Sequence, residues 1–446
     1  MKELRGSSVL VLGLGISGKS AAQFCAAHGA ARVVAADERP REALGDLGAL
    51  EGAVEICAGG ALPDPSEFDL VVPSPGVAPA RYAARARRVW GDLELAYRAL
   101  AVPIVGITGT NGKSTTTRLV EAMARAGGLR AEAGGNIGAP ALGLVGRPLD
   151  VAVLEVSSFQ LETTETFRPH VAVILNVTPD HLDRHGSFEA YAAAKARILE
   201  HQRSNDTAVL AADDPVVAAM AEKARGRVWR FSLRHGASYE ATFDAGAALL
   251  RGGDVSARIS LDGLRLRGTH NLENVLAALL CVAALGVDPV RAARALPSFD
   301  GLPHRMELVR RRGQVAFVND SKGTNVGAAL RSLESFSQPV VWIGGGKDKG
   351  LDFSALAPLA ERRMRASVLI GEAAEKLAAA LDGHTRVYIE PSIEAAVQRA
   401  AELAQPGDVV LLSPACASFD QFRSYEDRGE HFRAAVNALP EQLGGA

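Results

Sequence analysis

The eight residues 108–115, Thr-Gly-Thr-Asn-Gly-Lys-Ser-Thr, restrict the possible folds of this chain more than any other segment. They follow the apolar segment 103–107, which is typical of a buried strand, and they precede a predicted helix over 115–126. Glycines between a strand and a helix let backbone N–H groups surround phosphate oxygens, and the lysine neutralises phosphate charge. The segment therefore predicts a nucleotide-binding α/β sheet, although Ile107 stands where the general P-loop pattern has its first glycine.

Strands and helices alternate along the rest of the chain, which indicates parallel sheets covered by helices. We predict an α/β protein of three domains, over residues 1–97, 98–301 and 302–446. The first and third are expected to be Rossmann-like, and the central one to resemble the P-loop ATPases. Residues 205–268 look β-rich and less regular, so the central sheet is expected to be mixed.

Composition excludes several classes of partner and site. The chain has 49 Lys and Arg residues against 51 Asp and Glu, so nothing draws it as a whole to nucleic acid or an anionic membrane. No apolar run is long enough to span a bilayer. The cysteines are far apart and form no CxxC pair, which favours reduced thiols in the cytoplasm over a zinc site or disulfides.

Two polar segments follow predicted strands of the central domain. The first, 154–160, brings Glu155, which suits a hard cation but also fits an ordinary ion pair. The second, 176–183, brings His181, which could ligate a metal or orient a carboxylate. Ligands of open α/β sheets bind at the carboxyl ends of the strands, so both segments are expected beside the nucleotide loop. Local spacing gives Lys195, in a predicted helix, no special role.

The first domain carries Gly-Leu-Gly-Ile-Ser-Gly at 13–18 between a strand and a helix, and Asp37 ends the next strand. This pattern is typical of NAD-binding domains. The same geometry accepts any nucleotide diphosphate, because a helix N-terminus recognises pyrophosphate and not nicotinamide.

The third domain has three polar loops after predicted strands, at 319–325, 344–349 and 413–418. They contain lysines and hydroxyl groups, and such an array suits an anionic amino-acid substrate. Cys416 lies in the last loop, but no base is evident as its partner, so a small buried residue is favoured over a nucleophile.

Together, the sequence motifs of this chain resemble those of the Mur ligases over nearly its whole length. Gly-Thr-Asn-Gly-Lys-Ser-Thr at 109–115 is shared with other Mur ligases and with folylpolyglutamate synthetases. Glu-Val-Ser-Ser-Phe-Gln-Leu-Glu at 155–162, Asn-Val-Thr-Pro-Asp-His-Leu-Asp-Arg at 176–184 and Asn-Asp-Ser-Lys-Gly-Thr-Asn at 319–325 also match. Gly-Leu-Pro-His-Arg-Met-Glu at 301–307 and the phrase at 413–422 are similar to family members that add D-glutamate.

The resemblance implies an ATP-dependent ligase of peptidoglycan synthesis that joins D-glutamate to UDP-N-acetylmuramoyl-L-alanine through an acyl phosphate. It implies ATP, two Mg²⁺ ions and a CO₂-derived carbamate on Lys195 as cofactors. A cytoplasmic monomer is expected, without nucleic-acid or membrane partners. The residues expected to act in catalysis are Lys113, His181, Lys195 and Lys322.

The resemblance also assigns the binding residues. ATP is expected to meet Gly109, Thr110, Asn111, Gly112, Lys113, Ser114, Thr115, Asn271, Arg305 and Asp320. The UDP-linked substrate is expected to meet Ile16, Ser17, Asp37, Ser74, Gly76, Asn136 and His181. The amino acid is expected to meet Lys322, Thr324, Lys349, Ser418 and Tyr425, where Tyr425 replaces an expected phenylalanine and Lys349 is preferred over Lys347. The metal ligands are expected to be Ser114, Glu155, His181 and carbamylated Lys195.

Three alternatives remain at this stage. A related amide ligase could add another amino acid, although the third-domain loops argue against it. An NAD-dependent oxidoreductase would explain residues 13–18 but not the loop that carries Lys113. A non-catalytic nucleotide-binding regulator would not explain why Lys113, Glu155, His181 and Lys322 occur together.

Overall fold

The computed structural model describes residues 1–234, 239–252, 255–266, 268–348 and 350–441. The chain forms two compact units, one of Met1–Asp262 with Glu273–Leu296 and one of Gly263–Leu272 with Pro297–Ala446. The first unit contains two β-sheets and the second contains one. Three sheet-containing α/β regions are thus confirmed, whereas the expected domain boundaries at 97/98 and 301/302 remain predictions.

The first sheet has four parallel strands in the order β3-β2-β1-β4, the order of a nucleotide-binding half of a Rossmann fold. The strands are β1 (Ser8–Leu12), β2 (Arg32–Asp37), β3 (Glu55–Ala58) and β4 (Leu70–Pro73). Leu12 pairs with Ala36 on one side and with Pro73 on the other, so the carboxyl ends of β1, β2 and β4 are level. Helix α1 (Ile16–Ala27) follows β1, and α2 (Asp92–Ala99) follows β4.

The second sheet has nine strands in the order β13-β12-β11-β10-β9-β8-β5-β7-β6. They are β5 (Ile104–Thr108), β6 (Ala131–Gly135), β7 (Val151–Glu155), β8 (Val171–Ile174), β9 (Thr207–Ala211), β10 (Arg227–Ser232), β11 (Ala241–Asp244), β12 (Ala247–Gly252) and β13 (Val255–Ser260). Pairing is parallel from β6 to β11, and β11, β12 and β13 form antiparallel pairs. The expected mixed sheet is therefore confirmed.

Seven helices accompany this sheet within the described residues. They are α3 (Lys113–Ala126), α4 (Ser158–Glu162), α5 (Leu182–His185), α6 (Phe188–Ala196), α7 (Pro215–Ala219), α8 (Thr269–Ala284) and α9 (Pro289–Ala292). The boundary between the two units falls inside α8, after Leu272. Strand β5, buried along its whole length, leads through the glycine loop into α3, as the sequence predicts.

The third sheet belongs to the second unit and has the order β14-β15-β19-β16-β17-β18. Its strands are β14 (Glu307–Arg312), β15 (Val315–Asn319), β16 (Val340–Gly345), β17 (Met364–Ile370), β18 (Val387–Ile389) and β19 (Val409–Leu412). All pairs are parallel except β14 with β15. Its helices are α10 (Val326–Glu334), α11 (Ala357–Arg363), α12 (Ala374–Leu381), α13 (Ile393–Leu403) and α14 (Tyr425–Ala438).

Apolar side chains cover both faces of this sheet and form two separate clusters, one that includes Trp342 and one that includes Phe317 and Phe432. Two covered faces are expected of a largely parallel sheet with helices on either side. Within the described residues, none of the helices combines the length and apolar character that crossing a membrane requires.

Candidate active site

The glycine loop between β5 and α3 requires glycine for a steric reason. Gly112 has φ of +86°, and a Cβ there would lie 2.4 Å from the Asn274 amide oxygen. The neighbouring Thr116 donates its hydroxyl to that same oxygen at 3.1 Å. The backbone thus passes close to a fixed amide, and any side chain at Gly112 would displace the loop.

Two lysines meet at this loop. The Lys113 ammonium donates to the carbonyl oxygens of Gly109, at 2.8 Å, and Thr110, at 2.9 Å. The Lys195 amine, which comes from α6, donates to the same Gly109 oxygen at 2.9 Å. Lys195 therefore lies at the glycine loop. Its local sequence did not indicate this position, and only the family resemblance suggested it.

Lys195 is 1% exposed, an unusual environment for a lysine. Burial lowers the pKa of its ammonium well below 10.5, and the charge of Lys113 lowers it further. Asp180 and Glu155 act on it in the opposite sense. One buried amine thus interacts with residues from the glycine loop, the end of β7 and the loop after β8, which confirms that these segments meet at one edge of the sheet.

The loop after β8 holds the glycine loop in place through side-chain bonds. The Asn176 amide accepts from the Asn111 N–H at 2.8 Å and donates to the Asn111 carbonyl at 3.0 Å. Thr110 donates its hydroxyl to the Thr178 carbonyl at 3.1 Å and lies 3.1 Å from the Tyr191 hydroxyl. The sequence pattern identified Asn176 only as part of the polar segment 176–183, and it did not identify Tyr191, which lies outside every motif.

Glu155 ends β7 and is 3% exposed. Its Oε1 accepts from the Asn136 side-chain amide at 2.8 Å, and its carbonyl accepts from the Asn136 N–H at 2.9 Å. These paired contacts fix the carboxylate at the carboxyl edge of the sheet, where Asn136 follows β6. The Asn136 amide group and backbone N–H therefore both bind Glu155.

His181 occupies a left-handed backbone conformation, with φ of 53°, immediately before α5. Its ring lies 4.9 Å from that of Phe159, and its Nε2 is 3.9 Å from Oδ2 of Asp180. A non-glycine residue in this conformation is uncommon, and it turns the chain sharply at the sheet edge. The imidazole is partly exposed and belongs to the same loop as Asp180.

A divalent cation that arrives with a triphosphate suits this edge. Among the described residues, no three His, Cys, Asp or Glu side chains gather closely enough to hold a metal by themselves. Mg²⁺ usually takes only one or two protein carboxylates and completes its shell with phosphate oxygens and water. The buried Ser114 hydroxyl and the Glu155 carboxylate fit that pattern.

A cavity of about 720 Å³ lies at the carboxyl edge of the first sheet. Six residues expected to meet the UDP-linked substrate line it: Ile16, Ser17, Asp37, Ser74, Gly76 and Asn136. The turn above β1 is tight, because a Cβ on Gly18 would lie 1.8 Å from the Gly13 carbonyl oxygen. The cavity joins residues from the first sheet to Asn136 of the second, whereas His181 is not among its lining residues.

Asp37 closes one side of this cavity. Its carboxylate accepts from the Leu14 N–H at 2.7 Å and makes a two-bond ion pair with Arg39, at 2.7 and 3.0 Å. The Arg39 hydrogen bond holds the pKa of Asp37 well below its usual range. Asp37 is therefore a charged, fixed acceptor, and Arg39 is a cavity residue that the sequence did not single out.

In the second unit, Asp320 follows β15 and is buried. It accepts hydroxyl hydrogen bonds from Ser332, at 2.6 Å, and Ser413, at 2.8 Å. Burial raises the pKa of Asp320 to about 6, while these bonds and the charge of Arg305 act in the opposite direction. Asn271 lies in the same unit, near the start of α8.

The expected amino-acid ligands also belong to the second unit. The Lys322 ammonium lies 3.8 Å from the centre of the Tyr425 ring. Thr324 lies two residues beyond Lys322 in the loop after β15, and Ser418 is buried in the loop after β19. Lys349 lies outside the described residues, and the nearby Lys347 forms an exposed ion pair with Glu372 at 2.6 Å.

One residue that sequence reasoning missed is Arg428 of α14, whose side chain is fully buried. It hydrogen-bonds to the loops that follow β15 and β19. A single arginine in a helix carries no motif, so no sequence signal could have identified it.

Comparisons with known proteins agree with this architecture. Residues 107–282 match the Mur ligase middle domain, and residues 304–416 match the Mur ligase glutamate ligase domain. A UDP-N-acetylmuramoylalanine--D-glutamate ligase of Geobacter metallireducens is 45% identical, with 98% of each chain covered. The ligase of the same name from Geotalea daltonii is 44% identical, also with 98% of each chain covered.

A solved structure shows the same fold at lower sequence similarity. The MurF ligase of Thermotoga maritima in complex with ADP aligns over 98% of this chain and 99% of its own, with a TM-score of 0.61 and 18% identity. The near-full-length similarity to the two relatives is what decides the family. The chain belongs to the Mur ligase family.

Proposed function

We propose that this protein joins D-glutamate to the L-alanyl carboxylate of UDP-N-acetylmuramoyl-L-alanine, with ATP converted to ADP and phosphate. The relatives that carry this activity in their names are 44–45% identical over nearly the whole chain. The reaction is a step of peptidoglycan synthesis and takes place in the cytoplasm, with the protein acting as a monomer.

One observation carries the proposal: the cavity at the first sheet and the glycine loop of the second are connected through Asn136. Asn136 lines the cavity and hydrogen-bonds to Glu155, and Glu155 interacts electrostatically with Lys195 at the loop. A UDP-linked substrate in the cavity would thus extend toward the site where a triphosphate is expected. That arrangement suits transfer of a phosphoryl group to the substrate's carboxylate.

The reaction proceeds in two steps. The substrate carboxylate attacks the γ-phosphorus of ATP, which gives an acyl phosphate and releases ADP. The amine of D-glutamate then attacks the acyl carbon, and the tetrahedral intermediate expels phosphate as the amide forms. The amine must also lose a proton, and either His181 or a phosphate oxygen could accept it.

The residues of this edge position anionic groups and neutralise them. The two reactants of the first step are both anionic, so positioning and charge neutralisation dominate the catalysis. Lys113 supplies a cation at the loop, and Ser114 and Glu155, with His181, are the residues proposed to hold Mg²⁺. Two bound Mg²⁺ ions would supply further positive charge at the phosphates.

Lys195 is proposed to carry a carbamate. Burial and the charge of Lys113 lower its pKa, which favours the neutral amine, the form that attacks CO₂. The neutral amine nitrogen would form a bond to the carbon of CO₂ and release one proton, so an uncharged group would become an anion that could bind Mg²⁺. The resulting carbamate would be attracted to the Lys113 ammonium.

The remaining binding roles follow the family assignment. Asn271, Arg305 and Asp320 are proposed to hold the adenosine side or the γ-phosphate. The residues proposed to hold D-glutamate are Lys322, Thr324, Lys349, Ser418 and Tyr425. Asp37 and the N-terminus of helix α1 are proposed to hold the UDP group.

The decisive experiment measures ADP release in the presence of UDP-N-acetylmuramoyl-L-alanine, ATP and Mg²⁺ with a panel of amino acids. D-glutamate is expected to support release, and L-glutamate, D-alanine, L-lysine and diaminopimelate are expected not to. Release with another member of the panel would favour a related amide ligase instead. Fluorescence of NADH mixed with the protein tests the oxidoreductase alternative, and no enhancement is expected.

A further inference from the structure

The side chain of Arg428 is fully buried in the second unit and makes five hydrogen bonds. In the loop after β15, its Nε donates to the Ser321 hydroxyl at 3.0 Å and its Nη2 to the Ser321 carbonyl at 2.9 Å. In the loop after β19, it donates to the carbonyls of Cys416, at 3.2 Å, and Ala417, at 3.3 Å. One guanidinium therefore connects two loops with the helix that carries it.

All acceptors of these hydrogen bonds are neutral carbonyl or hydroxyl oxygens. Burial lowers the pKa of Arg428 to about 10, so the guanidinium remains charged at neutral pH. A buried charge is costly to desolvate, and an apolar side chain would fill the same space without that cost. The planar fork of five donors thus indicates a role in fixing the loops rather than in simple packing.

The bonds to the loop after β19 set the direction of two peptide groups. In a trans peptide, the C=O of one residue and the N–H of the next point in opposite directions. Ala417 also pairs with Lys347 in an antiparallel bridge, and its carbonyl accepts from the Lys347 N–H at 2.9 Å. Because the Ala417 carbonyl also accepts from Arg428, the N–H of Ser418 points away from that side chain. A backbone N–H directed away from Arg428, in a residue that also carries a hydroxyl group, suits a carboxylate.

The hydrogen bonds from Arg428 to the loop after β15 constrain the positions of Lys322 and Tyr425. The Ser321 hydroxyl accepts from Arg428 and donates to the Tyr425 carbonyl at 2.8 Å. Ser321 directly precedes Lys322, whose ammonium lies against the Tyr425 ring. Three of the residues proposed to meet the amino acid are thus positioned through one buried side chain.

We propose that Arg428 is the positioning residue of the amino-acid site, because it holds the Lys322, Ser418 and Tyr425 segments in the geometry that recognises an acidic amino acid. The inference rests on the proposed function in that it takes D-glutamate as this amino acid. Arg428 is buried behind the loops and acts through them, so its loss weakens amino-acid binding more than it affects the other two substrates.

The test compares Arg428→Lys with wild-type enzyme. Lysine keeps the charge but cannot reproduce the fork, so the KM for D-glutamate is expected to rise ~10- to 100-fold. The KM values for ATP and for UDP-N-acetylmuramoyl-L-alanine are expected to stay within about threefold of wild type, because a positioning effect is confined to the loops. Thermal melting establishes that the variant is folded.

Arg310→Lys is the matched control. Arg310 donates to three carbonyls at the C-terminal end of α14, those of Val436, Asn437 and Leu439, away from the loops. Its replacement removes comparable hydrogen bonds from the same helix and is expected to leave the KM for D-glutamate unchanged. An equal rise in both variants would show that Arg428 acts only on the stability of the unit, and would overturn the inference.

Ser321→Ala provides a second variant that keeps the arginine, in case Arg428→Lys does not fold. It removes the hydroxyl that links Arg428 to Tyr425, and a rise of about threefold in the KM for D-glutamate is expected. An unchanged KM in a folded variant contradicts the proposal. The proposed function is tested separately, since it fails if wild-type enzyme releases no ADP with D-glutamate.

Discussion

Lys195 of the first unit and Arg428 of the second are both buried basic side chains, but they differ in pKa and in the number of hydrogen bonds that they make. Lys195 has a hydrogen bond to one carbonyl, that of Gly109, and its pKa lies well below 10.5. Arg428 makes five hydrogen bonds, and its pKa falls only to about 10. Burial beside Lys113 thus favours the neutral form of the Lys195 amine, whereas the Arg428 guanidinium stays charged at neutral pH and joins the loops that it contacts.

The difference follows from the chemistry of the two groups. An ammonium concentrates its charge on one atom, and burial beside a second lysine favours loss of its proton. A guanidinium spreads its charge over a plane of donors that several carbonyls can satisfy together. Burial can thus favour the neutral form of a lysine beside a second lysine, or retain a charged arginine among several acceptors.

The strongest test of the first site is Lys113→Ala. Lys113 supplies a cation at the glycine loop, so its loss is expected to reduce ADP release by at least ~1000-fold while the fold remains intact. Turnover is measured with all three substrates present. Lys223→Ala, which changes an exposed lysine of the same unit, is the control, and near-normal turnover in Lys113→Ala would remove this lysine from the site.

Lys195→Ala is expected to cause a slightly smaller loss, of about 100- to 1000-fold, that can be partly reversed. A short carboxylic acid such as acetate or formate could supply the anion that the carbamate normally provides. Turnover is measured over a range of acid concentrations, with Lys113→Ala as a control that the same acids should not rescue. Full activity of Lys195→Ala without any additive would contradict the role proposed for this residue.

The smallest expected effect concerns the second unit and the pH dependence of its stability. Asp320 has a raised pKa of about 6 against an ordinary value of 3.8, so between these values the folded state binds more protons than the unfolded state. The contribution of Asp320 to the free energy of unfolding therefore falls as pH rises from about 4 to 6 and stays low above it.

Asp320→Asn removes this titration, so melting temperatures of variant and wild type are compared between pH 5 and 8. The variant is expected to gain relative to wild type as pH rises, most steeply between pH 5 and about 6.5, near the pKa of Asp320. Asp382→Asn, at an exposed position of the same unit, should show no such trend. A constant difference across the range would mean that Asp320 has an ordinary pKa.

Much of the fold could be predicted because buried parallel strands are continuous apolar runs. The strand predicted at 103–107 is β5 (Ile104–Thr108), and β2 ends at Asp37 as expected. Strands β3, β6 and β14 were not predicted. They carry polar or exposed residues or glycine pairs, and only their pairing with a neighbouring strand stabilises them, a tertiary effect that local pattern does not contain.

The candidate site divides in the same way. The glycine loop, Glu155 and His181 could be identified because each follows an apolar strand and carries chemistry of its own. Lys195, Tyr191 and Arg428 could not be identified from local sequence, because their roles depend on burial and on contacts with distant segments. Family resemblance supplied Lys195 alone among these three.

The Asn136 side chain belongs to two regions of the first unit, since it lines the cavity at the first sheet and its amide donates to Glu155. An inhibitor that grows from the cavity toward the nucleotide loop meets this amide on its path. A compound that leaves the Asn136–Glu155 hydrogen bond in place avoids the free-energy cost of rearranging the cavity wall. A compound that displaces Asn136 must itself supply a hydrogen-bond donor to the buried Glu155 carboxylate. An inhibitor designed to occupy both regions must therefore either keep the Asn136–Glu155 hydrogen bond or replace it.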